Sequence, residues 1–248
     1  MLWRSDVKTN LKQQIGGPGA FNRNQGLRLG LSRRIVLGLL VAASFDYCSA
    51  FSARSETIPT VRVRVVNYTR ATPATVAAAE SGAGQILRDA GLNVVWFDCR
   101  VIESLDDPTD FCRQPLSPAE ILLRLLPENS RHGIADDAFG FAVPPVLASI
   151  YYQHAVLLAA STGYGVPGIL ACVIAHELGH LLLGPRSHSE IGIMRGHWGR
   201  NELRLIAWGG LHFTPQQGKA IRAEAQVRMR RETTGIIVAS SVDYDGRL

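Results

Sequence analysis

Residues 176–198 read HELGHLLLGPRSHSEIGIMRGHW, a stretch holding four histidines and two glutamates, and the way these divide their work decides the fold. His176 and His180 are four positions apart. On a helix that spacing stacks the two side chains about 6 Å apart along the axis, so both rings can turn a nitrogen toward one ion. Glu177 then lies beside the pair, where a carboxylate can reach a water on the ion without binding the ion itself. That is the position a general base needs in hydrolysis. Ile169, Leu170, Val173, Ile174, Leu178 and Leu181 would bury the other faces of the helix and hold the ligands rigid. The alternative for the same residues is a buried helix with two hydrogen-bonded core histidines. Cys172 sits a further turn back, too far from the ion, and reads as a small buried side chain.

A third ligand has to come from outside the helix. One turn beyond His180 stands Gly184, followed by Pro185, and this pair ends the helix because proline cannot continue it and glycine tolerates the turn. Three residues separate Gly184 from His188, enough for a tight turn that brings the His188 ring back over the first two. Glu190 is the main rival, since in an extended segment it shares that side of the chain. A ligating glutamate usually comes from a separate helix, however, and none begins there. His197 lies beyond Met194. The expected set is therefore zinc held by His176, His180 and His188, with Glu177 as general base and with Glu190 and His197 off the metal.

The extended pattern HExxHxxxGxxxH followed by Gly192-Ile193-Met194 resembles the metzincin class of zinc peptidases. Their motif is HExxHxxGxxH followed by a methionine-bearing turn, so the glycine and the third histidine fall one and two places later here. More narrowly, HELGHLLLG with HSxxGIM resembles a group of exported bacterial proteins that look like distant relatives of the matrixin branch. The resemblance is dense over residues 139–198. It implies an α/β (α+β) zincin-like domain with a mixed twisted sheet, an active-site helix and a C-terminal helix. It also implies a peptide or protein substrate lying extended along an edge strand at Phe139 to Val143. No tyrosine follows Met194 as in the astacin and serralysin branches, so the oxyanion stabiliser beyond zinc is unassigned, and His197 either serves there or is a rim histidine without a role. The second reading of the site is a non-catalytic zinc-binding surface domain that binds a partner protein. Glu177 speaks against it, because a structural zinc needs no base. A membrane-embedded HExxH peptidase would need further apolar spans of about 20 residues, which the sequence lacks.

The rest of the chain constrains the setting. In 248 residues, 46% of them apolar, there is enough to bury one sizeable core. The net charge of +5 lies in the first 50 residues, with seven Lys/Arg against two Asp, and the remaining 19 basic and 19 acidic residues cancel. This disfavours nucleic-acid binding, which needs a basic surface on the domain itself. Arg33 and Arg34 precede an apolar run from Ile35 to Phe45, too short to span a bilayer comfortably, with small residues after it. Residues 1–53 therefore read as an export leader, or else an N-terminal anchor, and Ser32 to Leu37 resembles a twin-arginine signal. The mature chain is expected to begin between Phe51 and Arg54, to be periplasmic or extracellular, and to hold no stable membrane span. The stretch between leader and first strand is too short to cover a cleft, so no latent form is expected. Export permits disulfides, and Cys99 with Cys112 is the natural pair, the alternative being two thiols in a loop.

The expected domain runs over residues 54–233, with a loose tail at 234–248. Val61, Val63 and Val65 alternate with Arg62 and Arg64 as in a half-buried strand. A helix follows, started at Thr72-Pro73 and ended at Gly91. Leu92 to Phe97 reads as a second, more fully buried strand. Ser117-Pro118-Ala119-Glu120 reads as a capping box opening a helix from Ile121 to Leu126. Ala138 to Val143 and Ala148 to Tyr152 read as strands around Pro144-Pro145, kept at a sheet edge by the prolines, and a short helix is expected over His154 to Ala160. Thr214 to Gln217 is a second capping box, opening a helix to about Arg231.

Overall fold

In a computed structural model, residues 2–4, 57–99, 111–127 and 138–242 are described, with 2–4 and 235–242 as backbone only. They fall in one of two compact units; the other, Lys8–Glu56, lies outside the described residues, and with it nearly all of the expected leader. Strands β1 (Leu2–Arg4), β2 (Thr60–Asn67), β3 (Asn93–Asp98), β4 (Glu120–Leu126), β5 (Ala138–Val143) and β6 (Leu147–Tyr151) form one sheet in the order β1-β5-β6-β4-β2-β3. The pairs β2–β3, β2–β4 and β4–β6 are parallel, while β5 runs antiparallel to β6 and to β1. The sheet is thus mixed, as expected of this α/β domain.

Val61 and Val63 of β2 are fully buried as expected, but the other face is not open throughout, since Arg64 is buried too. Helix α1 (Pro73–Asp89) starts where the sequence placed it. The Thr72 hydroxyl accepts from the Thr75 N–H at 3.1 Å, Pro73 occupies the first turn, and Gly91 follows the end at φ 81°. Helix α5 (Pro215–Val242) opens on the expected box, Thr214 and Gln217 exchanging bonds at 2.8 and 3.3 Å, and runs beyond the expected end near Arg231. Helix α2 (Tyr152–Thr162) begins two residues early, and α4 (Arg200–Ala207) was not anticipated.

Three expectations need correction. Residues 121–126 are strand, not helix. The box bond does form, Ser117 N–H donating to Glu120 at 2.9 Å, but β4 is paired on both sides, with β2 and β6, and those ladders override the local signal. Strand β3 is less buried than expected, because it is the last strand of the sheet and Val95 is 39% exposed. Strand β6 is interior despite Pro144-Pro145, and β5, expected as an open edge, carries β1 along it.

Helix α3 (Val166–Leu183) is the core of the arrangement. It packs against α1, α2, α4, α5, β5 and β6, and every residue from Ile169 to Leu182 is buried. Each apolar side chain so removed from water contributes about 1.5–3 kcal/mol. Val166–Leu183 is long and apolar enough to cross a membrane, but 78% of it is buried inside the domain. Cys172 is one of its core residues, a free thiol whose pKa burial pushes up to about 12. Cys99 and Cys112 form the expected disulfide.

Candidate metal centre

Helix α3 ends at Gly184, whose φ of 95° suits only glycine and whose N–H still bonds the His180 carbonyl at 3.0 Å. From α5, the buried Arg228 donates to the Leu181 carbonyl at 2.7 Å, filling an acceptor left open at the helix end. The chain then folds back. A turn over residues 189–195 is closed by Ser189 N–H to Met194 O at 2.9 Å and Arg195 N–H to Gly192 O at 3.1 Å. It is tied to the next segment by Ile193 N–H to His212 O at 2.9 Å. Met194 is fully buried under α3 at Gly179, where an added Cβ would stand 2.5 Å from its sulfur. The methionine turn is therefore in contact with the helix one residue before His180.

This return loop brings His188 to the two helical histidines. The Nε2 atoms of His180 and His176 are 3.1 Å apart, and those of His180 and His188 also 3.1 Å. Four tetrahedral ligands with zinc–nitrogen bonds of about 2.0–2.1 Å lie about 3.3 Å from one another, so the pairs His176–His180 and His180–His188 have close to the spacing a zinc ion needs. His176, His180 and His188 are the one such donor group among the described residues, all within 4.8 Å of one another. Glu190 is exposed and His197 half-buried, and neither belongs to the group.

The rings are set by their other nitrogens. His176 Nδ1 donates to the Ile193 carbonyl at 2.7 Å, and His180 Nδ1 lies 3.0 Å from the Ser187 hydroxyl. The Ile193 carbonyl also accepts from the buried Trp198 indole at 3.2 Å. Burial lowers the pKa of all three imidazoles, that of His180 to about 4, with neighbouring rings adding to it for His176 and His180. Near neutral pH the rings are uncharged, which is the ligating form.

Glu177 is fully buried, and neither of its carboxyl oxygens has a hydrogen-bond partner. Burial pushes its pKa up to about 8. Strand β5 passes directly beside it, since a Cβ at Gly140 would stand 3.1 Å from Glu177 Oε1. A buried carboxylate without a partner costs several kcal/mol unless something charged or polar meets it. A divalent cation at the histidine nitrogens with a water on it is such a partner, so the donor set and the orphaned carboxyl fit the same group.

The histidines and Glu177 were legible from spacing. Ser187, Trp198 and the Ile193 carbonyl were not, because orienting partners follow no pattern of their own; the sole clue to Ser187 is that it precedes a ligand.

No protein-family model matches the chain, and no curated protein does. Among solved structures it is similar to an archaemetzincin from Methanopyrus kandleri, with 14% identity, 67% of this chain and 96% of that chain covered, and a TM-score of 0.44. It is also similar to a zinc-dependent peptidase from Methanocorpusculum labreanum, with 16% identity, 67% and 98% coverage and a TM-score of 0.39. Both scores lie under 0.5, and the chemistry of this site rests on its own geometry.

Proposed function

We propose that this protein is a zinc-dependent peptidase, with His176, His180 and His188 as ligands and Glu177 as general base. The observation that carries this reading is the fully buried, unpartnered Glu177 carboxyl adjoining three neutral imidazoles whose Nε2 atoms converge. When bound, zinc supplies a Lewis acid that polarises a scissile carbonyl and makes a water acidic. Glu177 would act as the base that accepts a proton from the attacking water and would deliver it to the leaving amine nitrogen. Ile193 and Ser187 hold the ring planes of His176 and His180 during the exchange. The site is walled by Trp198 and Met194, both fully buried.

The leader reading belongs to the same proposal, and cleavage near Phe51 to Arg54 would remove β1 and leave the β5 edge open. Export places the enzyme in an oxidising compartment, and the Cys99–Cys112 bond supports that, because such bonds persist there. Intact Met1 on a soluble cytosolic protein would remove this part.

The test is metal analysis of the purified protein together with hydrolysis of a broad peptide pool. Glu177→Gln keeps its zinc and loses about 100-fold or more in rate. His188→Ala loses zinc and activity, whereas Glu190→Ala and His197→Ala keep the zinc. A wild type fully loaded with zinc that cleaves nothing leaves a zinc-binding module in place of an enzyme.

A further inference from the structure

Each helical histidine has a backbone partner, Ile193 for His176 and Gly184 for His180, but His180 alone also has a side-chain hydroxyl at its Nδ1. His176 Nδ1 faces a backbone carbonyl, which can only accept, so that nitrogen must carry the proton and Nε2 must be bare. His180 Nδ1 faces the Ser187 hydroxyl at 3.0 Å, which can accept or donate. With Nε2 committed to a metal, His180 must carry its proton on Nδ1, and the hydroxyl accepts it. His180 is 1% exposed, and of its two partners the half-buried Ser187 is the one that a substitution can remove. Ser187 also sits in the three-residue return between Gly184 and His188, so the chain that delivers the third ligand delivers the second ligand's partner with it.

Resting on the zinc reading above, we infer that Ser187 is a positioning residue for the metal. Its hydroxyl orients the His180 ring and holds the tautomer in which Nε2 can ligate. Outer partners of this kind commonly govern metal affinity by 10–100-fold. Ser187 touches neither the reacting atoms nor the metal, and its effect passes wholly through His180.

The experiment measures zinc affinity by competition with a chromophoric chelator in the full chain, for wild type, Ser187→Ala and Ser187→Thr. The alanine variant is expected to bind zinc about 10–100-fold more weakly. The threonine variant, which keeps the hydroxyl, should return to near wild type. Nitrogen-15 spectra of the zinc-loaded proteins should show a slowly exchanging His180 Nδ1 proton in the wild type and threonine variant and a faster one in alanine. The zinc-free thermal midpoints report whether the substitution acts on the fold instead. Equal zinc affinity in wild type and Ser187→Ala overturns the inference, as does a loss that threonine fails to restore. A wild type that binds no zinc overturns both this inference and the peptidase reading. One that binds zinc without cleaving peptides overturns only the peptidase, and the alanine shift still upholds Ser187.

Discussion

Glu120, in the parallel part of the sheet, and Glu177, on α3, are 2% and 0% exposed. Glu120 accepts from Arg62 Nε at 3.1 Å, Arg64 Nη2 at 2.6 Å and Ser117 N–H at 2.9 Å. Burial alone would raise its pKa, but the Ser117 bond and the two guanidiniums outweigh that and hold it below the usual carboxylate range. Glu177 has the same burial and none of the partners, and its pKa goes the other way. Arg62 also reaches Glu232 on α5, so Glu120 belongs to a network that ties the helix to the sheet. A buried charge that serves the fold comes with its counter-charges supplied by the chain. The Glu177 carboxyl is held without them, which is the difference the peptidase reading draws on.

The largest effect that could break this contrast is at Glu120. Glu120→Ala takes the carboxylate from Arg64, which is 3% exposed and keeps only the Gln114 and Pro115 carbonyls and the Phe111 ring, and should cost about 3–5 kcal/mol in urea unfolding of the zinc-free protein. Glu177→Gln, orphaning no partner, should stay within about 1 kcal/mol of wild type in the same measurement. Equal losses at the two positions would mean that Glu177 has a structural partner after all.

Metal removal comes next. Free zinc at 100 times its dissociation constant should stabilise the wild type by about 2.7 kcal/mol, lost on chelation. Because the Glu120 network shares no residue with the metal centre, the loss from Glu120→Ala and the loss from chelation should add within about 0.5 kcal/mol.

A smaller change sharpens the comparison from the site's side. In Gly179→Ala the new methyl meets the Met194 sulfur at 2.5 Å and Phe213 Cε1 at 2.9 Å. Overpacking of this kind costs about 1–3 kcal/mol. Since the displaced methionine belongs to the turn that carries Ile193, zinc affinity should fall in the same variant, as calorimetry would show.

The smallest effect belongs to a third glutamate, intermediate between the two. Glu80, half-buried on α1, has no ion pair among the described residues; burial and then the Asp98 charge raise its pKa to about 7. A raised carboxyl favours the folded state while protonated. Its contribution is full below the unfolded value of 4.5 and is lost as the pH rises through about 7. Glu80→Gln should therefore gain on wild type as the pH rises across that window and match it below, by less than about 1 kcal/mol given solvent screening. Paired urea midpoints against pH would show it, and a flat difference would remove the assignment.

What the sequence revealed and what it hid divide along physical lines. The grouping of the three histidines, the place of Glu177 beside them, both ends of α1 and the start of α5 were legible because each depends on a local rule: helical spacing, a hydroxyl or amide cap, a glycine at positive φ. Residues 121–126 were misread because their local signal was real but weaker than two sheet ladders, which only distant residues reveal. The burial of β3 was misjudged for a related reason, since LNVVWF reads alike in an interior or an end strand. Trp198, Ser187 and the Ile193 carbonyl were invisible because a hydrogen bond across a returning loop leaves no period in the sequence.

The return loop also bears on the order of assembly. His176 and His188 are 12 positions apart, 188 minus 176, and His176 reaches its Ile193 partner across 17, while Arg62 meets Glu120 across 58. Closing the shorter of these loops costs about 1.4 kcal/mol less chain entropy than closing the longest. Local contacts form faster than distant ones, and parallel strand pairing is slow for that reason. When the full chain refolds, the helix–turn unit that gathers the three imidazoles can thus close before β2 and β4 have met, and a metal ion present at that stage would meet three grouped imidazoles in a chain whose sheet is still incomplete.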